Sequence, residues 1–365
     1  MTTTDGRLLI VQHGRGRGRV HGFRQHLLDH IAREAPALSR RIVMHETGSP
    51  MPDLGGVRAV MFWLADPLRE LYPDCHAEAM ALAAEMRRRG GRVVNDPAAL
   101  SNTIKSEQAR IWQAAGVPCA AAEPFADAPG LAAAVARVGL PAIVRTDWHH
   151  AQEATFLCRT PDDVARLPTD GRLYPGVALA LVDTRAGYQR ERPGTIWAHF
   201  WHKKRIHIFG EIAVPNHVLF APSAVVGLHQ SPYWRYRGRK GKVLEPLAWL
   251  RRWDREAVIV DRVYVDAAPE QPGLFIRATR ALGLDVAAVD YSTLADGSVI
   301  LWEANAYFKV GANGPAARLR RLGLRAQRLC DGMVRYIGEL LDGERGTGNG
   351  ERATPHPAGG PVPPT

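Results

Sequence analysis

The chain has 365 residues, 46% of them hydrophobic, and a formal net charge of +10. That length outgrows one simple core, so two or three lobes are expected, and the charge favours an anionic partner. No apolar run reaches membrane-spanning length, MTTTDGRLLIVQHG lacks a signal peptide's basic start, and four scattered cysteines without CxxC spacing speak against a zinc site or disulfide scaffold, so a reducing cytoplasm is expected.

Leu8 to Gln12 reads as a buried strand, followed by a Gly/Arg loop and a helix from Gly22 to Glu34. Arg41 to Met44 and Ala59 to Trp63 are further strands. Cys75 to Arg89 is helical, with Gly90-Gly91 as its stop, and Arg92 to Val94 is a short strand. This rhythm predicts a small parallel α/β domain ending near Asp96-Pro97. A helix is expected from Ser101 to Ala115, capped by Ser101 or Asn102 and closed by Gly116 and Pro118. Leu131 to Val138 is a second helix. Ala142 to Val144 and Ala154 to Cys158 read as paired strands, Pro161-Asp162-Asp163 opens a helical turn, and Val177 to Val182 is a strand. Thr195 to Val214 carries long β segments, residues 245 to 284 are mostly helical, and Ala316 to Leu341 is an amphipathic basic helix. The Gly/Pro-rich stretch from 343 to 365 cannot bury a core and is expected to be disordered.

Near the end of this order lies AAVDYSTLADGSVILWEANAY, residues 287 to 307. Two β-rich runs flank Asp296-Gly297, which signals a hairpin with a two-residue type I′ turn. That register sets Asp290 opposite Glu303, and Asn305 points to the same face. Opposed carboxylates repel, and a divalent cation relieves the repulsion; a few hard oxygen donors suit Mg²⁺. The alternative is a surface hairpin with solvated acids.

Four landmarks occur in order along the chain. VNDPAALSNTIKSEQARIWQAAGVPCAAAEPF joins a strand, an Asn-x-Pro, a lysine on a helix and a GVP turn. LPAIVRTDWHHAQEATFLCRT is similar to a Pro-x-Val-x-Lys strand with its phosphate loop, VALALVDT to a hinge strand, and the acid hairpin comes last. Together they resemble the ATP-grasp enzymes of carboxylate–amine ligase type: D-alanine–D-alanine ligases, glutathione synthetases and ribosomal-protein glutamate ligases. The resemblance spans residues 93 to 340. It implies an α/β (α+β) class and an ATP-grasp fold. A Rossmann-like pre-ATP-grasp domain would occupy 1–98, a small nucleotide-binding lobe 99–182, a lobe with the metal hairpin 183–342, and a tail 343–365.

The resemblance also implies roles. ATP and Mg²⁺ are the cofactors, with Mn²⁺ as the alternative ion, and Asp290, Glu303 and Asn305 hold the metal between the phosphates. Lys105 reaches the nucleotide phosphates. Arg145 stands where the family has a second phosphate-binding lysine; it keeps the charge and changes the geometry. Ala180 falls where an acid contacts the adenine or ribose side, which leaves Asp183 as the nearest candidate. FWHKKRIHIFGE is similar to an Arg-x-x-apolar-x-Gly strand and makes Arg205 the catalytic candidate, a cation facing the transferred phosphoryl group. A basic edge strand is the alternative. His217 lines the same cleft or serves a structural role. The phosphate loop departs from the pattern, because Asp147 to Glu153 contains no glycine. Either His149 and His150 supply side-chain donors there, or the loop does not close over ATP. Ala288 stands where the D-alanine ligases carry an arginine.

Within HGRGRGRVHG, residues 13 to 22, Arg19 stands where a G-x-G-x-x-G fingerprint needs glycine, so the stretch reads as a basic substrate-facing loop or a solvated one. The implied activity joins a small-molecule or peptide carboxylate to an amine through an acyl phosphate. One alternative is a catalytically degraded fold that binds nucleotides or anions. Another is a nucleic-acid binder acting through Arg235 to Lys240 and Arg318 to Arg328; it is disfavoured, because such runs are more often exposed loops or helix faces. No membrane partner is expected, and the sequence does not encode an oligomeric state.

Overall fold

Three four-stranded sheets organise the residues that the computed structural model describes, 6–14, 23–148, 154–191, 200–227, 263–308 and 320–343. The first sheet is parallel, in the order β2-β1-β3-β4, from β1 (Arg7–Gln12), β2 (Ile42–Glu46), β3 (Val57–Trp63) and β4 (Arg92–Val94). Its connections carry α1 (Phe23–Glu34), α2 (Pro36–Ser39), α3 (Leu68–Leu71) and α4 (Pro73–Arg88). A strand covered on both faces reads as a continuous apolar run. Leu8 and Ile10 of β1 enter one core cluster, and Leu9 and Val11 enter another.

The second sheet is antiparallel, ordered β5-β8-β6-β7, from β5 (Ala122–Phe125), β6 (Ala142–Thr146), β7 (Thr155–Cys158) and β8 (Gly176–Ala180). Helix α6 (Ala128–Val138) packs on the face that presents Val144 and Ala178. The opposite face of β6 carries Arg145. Strand β5 went unread, because Ala-Glu-Pro-Phe lacks β-branched residues. It lies at the sheet edge, where a proline takes no N–H from the ladder.

The third sheet is also antiparallel, ordered β10-β9-β11-β12, from β9 (Trp201–Phe209), β10 (Ile212–Ala221), β11 (Val286–Thr293) and β12 (Val299–Asn305). Between the first and second sheets runs α5 (Lys105–Ala114), α7 (Pro161–Ala165) follows β7, α8 (Arg185–Glu191) precedes β9, and α9 (Pro272–Ala281) precedes β11; α10 (Arg320–Asp342) follows the hairpin. The first and third sheets share their cores: Leu9 and Phe62 cluster with Ile206 and Tyr291, while Leu8 clusters with Phe209, Val286 and Met333. Asn95 stitches the two together. Its Nδ2 donates to Val286 O at 2.8 Å, and its Oδ1 accepts from the N–H groups of Asp285 and Val286 at 3.0 and 2.9 Å.

One expected helix splits. Pro97–Thr103 is a 3₁₀ turn capped by Asp96, Ile104 is extended, and α5 starts at Lys105. The expected caps serve tertiary contacts: Ser101 Oγ donates to Glu70 and Asn102 Nδ2 donates to Leu282 O. Outside the described residues lie the Gly/Arg loop from 15 to 22, residues 149–153, the cluster from 235 to 240, and 344–365. Among the described residues no helix is long and apolar enough to cross a membrane.

Candidate active site at the acid hairpin

Asp290 and Glu303 do face each other across β11 and β12, as does Ala288 with Asn305. The route to that register differs from the expected one. Leu294 N donates to Ser298 O at 2.8 Å, so three residues, Ala295 to Gly297, form the loop. Asp296 Oδ1 accepts from Ser298 N at 2.9 Å, and Gly297 adopts φ 90°, a left-handed conformation that glycine tolerates best. A two-residue type I′ turn is therefore corrected to a three-residue one. Such a loop alone would set Trp302 opposite Asp290 and turn Glu303 towards the core. A bulge between Asp290 and Tyr291 on one side and Glu303 and Leu301 on the other absorbs Trp302 as an extra residue. The bulge returns Glu303 to the face of Asp290, the re-aiming that bulges provide. Trp302 is anchored by its Nε1–H, which donates to Ser292 Oγ at 2.7 Å.

The hairpin's outer edge is covered. Ala304 N donates to Gln108 Oε1 of α5 at 2.7 Å, and Leu301 N donates to Pro118 O at 2.9 Å. Unpaired edge groups thus find partners inside the chain. These bonds also fix α5, and with it Lys105, against the acids.

Asp290 is 1% exposed and fully engaged. Arg205, its register partner on β9, donates from Nε to Oδ1 at 2.5 Å and from Nη2 to Oδ2 at 2.9 Å. Lys203 Nζ stands 2.8 Å from Oδ2. Burial opposes ionisation of Asp290, but Arg205 and Lys203 outweigh it and hold the carboxyl below the usual range. Strand alternation places Lys203, Arg205 and His207 on this face, and His202 and Lys204 on the other. There Lys204 Nζ donates to Thr293 Oγ1 at 2.9 Å, and burial keeps His202 neutral, its pKa pulled down to about 3.

Glu303 meets cations from elsewhere. Arg145 Nη1 of β6 lies 3.4 Å from Oε2, and Lys105 Nζ of α5 lies 4.0 Å from Oε1. Arg145 Nε is buried without a hydrogen-bond partner among the described residues. Burial, with repulsion from Arg145, pulls Lys105 down to about 8 against the opposing pull of Glu303. Asp147 holds the start of α5 from a distance. Its carboxylate accepts from Ser106 N at 2.8 Å and Ser106 Oγ at 2.6 Å, and its carbonyl accepts from Lys105 Nζ at 3.2 Å. This caps a helix that lacks a local cap. The sequence reading placed Asp147 in the phosphate loop and missed that role.

Lys203 is the other residue missed. Its position in a run of four basic residues gave no sign that it reaches Asp290. His217 stands opposite Arg205 on β10, and His207 is buried against the Phe308 ring, 4.5 Å between centroids. Asp183 is not drawn to the cluster: it accepts from Arg185 N at 2.9 Å and pairs with the Arg185 guanidinium at 2.6 Å. His149 and His150 lie outside the described residues. Among the described residues no group of three or more His, Cys, Asp or Glu forms a metal cluster. The candidate donor set is the carboxylates of Asp290 and Glu303, whose oxygens already meet cations and keep further lone pairs, and the amide oxygen of Asn305. That set fits Mg²⁺, which leaves its remaining positions to water and phosphate.

Solved structures similar to this chain include the ATP-grasp ligase PsnB and the macrocyclase MdnC. PsnB complexed with a minimal precursor matches at a TM-score of 0.52 and 14% identity, over 91% of this chain and 100% of that one. PsnB with minimal precursor, Mg and ADP matches at 0.51 and 14%, over 90% and 98%. The macrocyclase MdnC from Microcystis aeruginosa MRC, bound with precursor peptide MdnA, matches at 0.50 and 13%, over 90% and 99%. No protein-family model and no curated protein sequence matches. At such identities the likeness establishes the fold and leaves the chemistry to the side chains.

Proposed function

From an ATP-grasp fold whose hairpin acids face four largely buried cations, we propose that this chain is an ATP- and Mg²⁺-dependent ligase joining a carboxylate to an amine. The observation that carries the reading is the convergence of Lys105, Arg145, Lys203 and Arg205 on Asp290 and Glu303. These six side chains sum to two positive charges, which complements the two negative charges of Mg-bound ATP. Asp290, Glu303 and Asn305 would hold Mg²⁺, which would supply charge neutralisation at the phosphates. Lys105 and Arg145 would bind phosphate oxygens; the unpartnered Arg145 Nε is a donor in want of such an acceptor. Arg205 would steady the charge that develops on the transferred group. The nucleotide then lies between the lobes 99–182 and 183–342.

In the reaction a substrate carboxylate oxygen attacks the γ-phosphorus, the bond to the β-phosphate oxygen breaks, and ADP leaves. The amine nitrogen attacks the acyl phosphate carbon, phosphate departs, and the amine proton passes to solvent. Positioning and electrostatics account for the catalysis, so no nucleophilic side chain is required. PsnB and MdnC were solved with precursor peptides, which makes peptide carboxylates the first class to test. The experiment measures ADP release with Mg²⁺ across carboxylate and amine pairs, with hydroxylamine trapping the acyl phosphate as a hydroxamate. Carboxylate-dependent ADP release and hydroxamate are expected. Nucleotide binding without turnover on any pair would instead leave a binding module.

A further inference from the structure

Asp147 makes more bonds than a helix cap requires. It directly follows β6 and is 5% exposed. A cap needs one acceptor for a free N–H at the start of a helix. The Asp147 carboxylate supplies that to Ser106 N at 2.8 Å and takes a second bond from Ser106 Oγ at 2.6 Å. Its carbonyl accepts from Lys105 N at 3.4 Å and also from a side chain, Lys105 Nζ, at 3.2 Å. Its own N–H donates to Pro175 O at 3.0 Å, immediately before β8. One residue is thus fastened to the second sheet through its amide and to the first turn of α5 through its oxygens.

The rest of α5 is fastened elsewhere. Gln108 Oε1 accepts from Ala304 N of β12 at 2.7 Å, and Trp112 Nε1 donates to Ala278 O of α9 at 2.9 Å. Lys105 is therefore carried by a helix that sits against the hairpin, and Arg145 by a strand of the second sheet. Both approach Glu303, at 4.0 and 3.4 Å. Two cations brought to one carboxylate repel each other, and Asp147 is among the acids that offset the repulsion at Lys105. Two positions from Arg145 along the chain and bonded to Lys105, Asp147 governs how the two cations stand to each other. We propose that Asp147 is a positioning residue for the nucleotide, holding the Lys105 ammonium beside the Arg145 guanidinium so that both meet one run of phosphate oxygens. This role rests on the phosphate contacts proposed above for Lys105 and Arg145; Asp147 itself touches no phosphate in it.

The test is a double-mutant cycle on Mg-ADP affinity, read by calorimetry with the full chain: the parent, Asp147→Ala, Lys105→Met and the two combined. Asp147→Ala is expected to weaken Mg-ADP by about three- to tenfold, the scale of one hydrogen bond. In the Lys105→Met background the same substitution should change affinity by less than about twofold, because a residue that acts through its neighbour has nothing left to act through. A residue that merely stabilised the fold would cost the same factor in both backgrounds. Asp147→Asn keeps an oxygen acceptor for Ser106 and should recover most of the loss. Ser106→Ala removes the Oγ bond and leaves the backbone one; it should show the same pattern in weaker form, and it carries the test should Asp147→Ala fail to fold. Equal factors in the two backgrounds, or no loss from either Asp147→Ala or Ser106→Ala, overturn the proposal and leave Asp147 a helix cap. A parent that binds no Mg-ADP fails one step earlier, at the nucleotide site itself, and the positioning role falls with it.

Discussion

Asp290 and Glu303 oppose each other in one hairpin, yet their cations arrive by different routes. Asp290 is held by Lys203 and Arg205, both from β9, the neighbouring strand of its own sheet, at 2.5–2.9 Å. Glu303 meets Lys105 from α5 and Arg145 from the second sheet, at 4.0 and 3.4 Å. The first set is fixed by sheet register and forms with the fold. The second is assembled from a helix tied to the hairpin edge and from a separate sheet, and its long contacts leave Arg145 Nε without a hydrogen-bond partner among the described residues. One acid is therefore a structural clamp as well as a candidate ligand. The other sits among groups that, under the proposed function, would exchange a carboxylate for phosphate oxygens.

The largest expected effect breaks the clamp. Asp290→Ala leaves the half-buried Arg205 and Lys203 without their counter-charge, and removing one partner of a fully buried pair typically destabilises by about 3–5 kcal/mol, an upper bound here. Urea unfolding should show that loss, and turnover should vanish with it. Glu303→Gln is expected to divide the two properties. Turnover should fall by about 10²–10³-fold, the scale of losing one electrostatic partner of a transition state. Stability should fall by less than in Asp290→Ala, because glutamine still offers Arg145 and Lys105 an oxygen acceptor at contacts of 3.4 and 4.0 Å. Equal stability losses in the two variants would erase the distinction between clamp and ligand-responsive acid.

How much of this was legible in the sequence follows the same division. The strands β9, β11 and β12 announced themselves by their β-rich composition, and the opposition of Asp290 to Glu303 was readable. It was readable for an incomplete reason, because the extra loop residue and the Trp302 bulge offset each other. Neither leaves a sequence signal separable from an Asp-Gly turn. Strand parity placed Arg205 and Lys203 on one face, but only the register with β11 shows that both converge on Asp290. Local rules put a cap at Ser101 or Asn102; the working cap of α5 is Asp147, 42 positions from Lys105 along the chain, and no local rule reaches that far. Strand β5 lacked β propensity and was set by its edge position. What local periodicity governs could be read, and what pairing of distant segments governs could not.

Lys105 sharpens the comparison on the ligand-responsive side. It is 5% exposed, and its pKa is pulled down to about 8, chiefly by burial. The unfolded chain, with an ordinary lysine, binds more protons between that value and the usual 10.5. Charged Lys105 therefore lowers stability fully below about pH 8, and the penalty fades as pH rises through that window. Lys105→Met should unfold at equal or higher urea than the parent at pH 7, with the gap closing towards pH 10. Its nucleotide affinity should nevertheless fall, by about tenfold for one lost charge-assisted contact. Phosphates beside Lys105 favour its charged form, so nucleotide binding at pH 8.5 should take up a proton. Calorimetry in buffers of different ionisation enthalpy measures that uptake. Its absence in the parent, or its persistence in Lys105→Met, would remove Lys105 from the phosphate site and leave Arg145 as the cation reaching across from the second sheet.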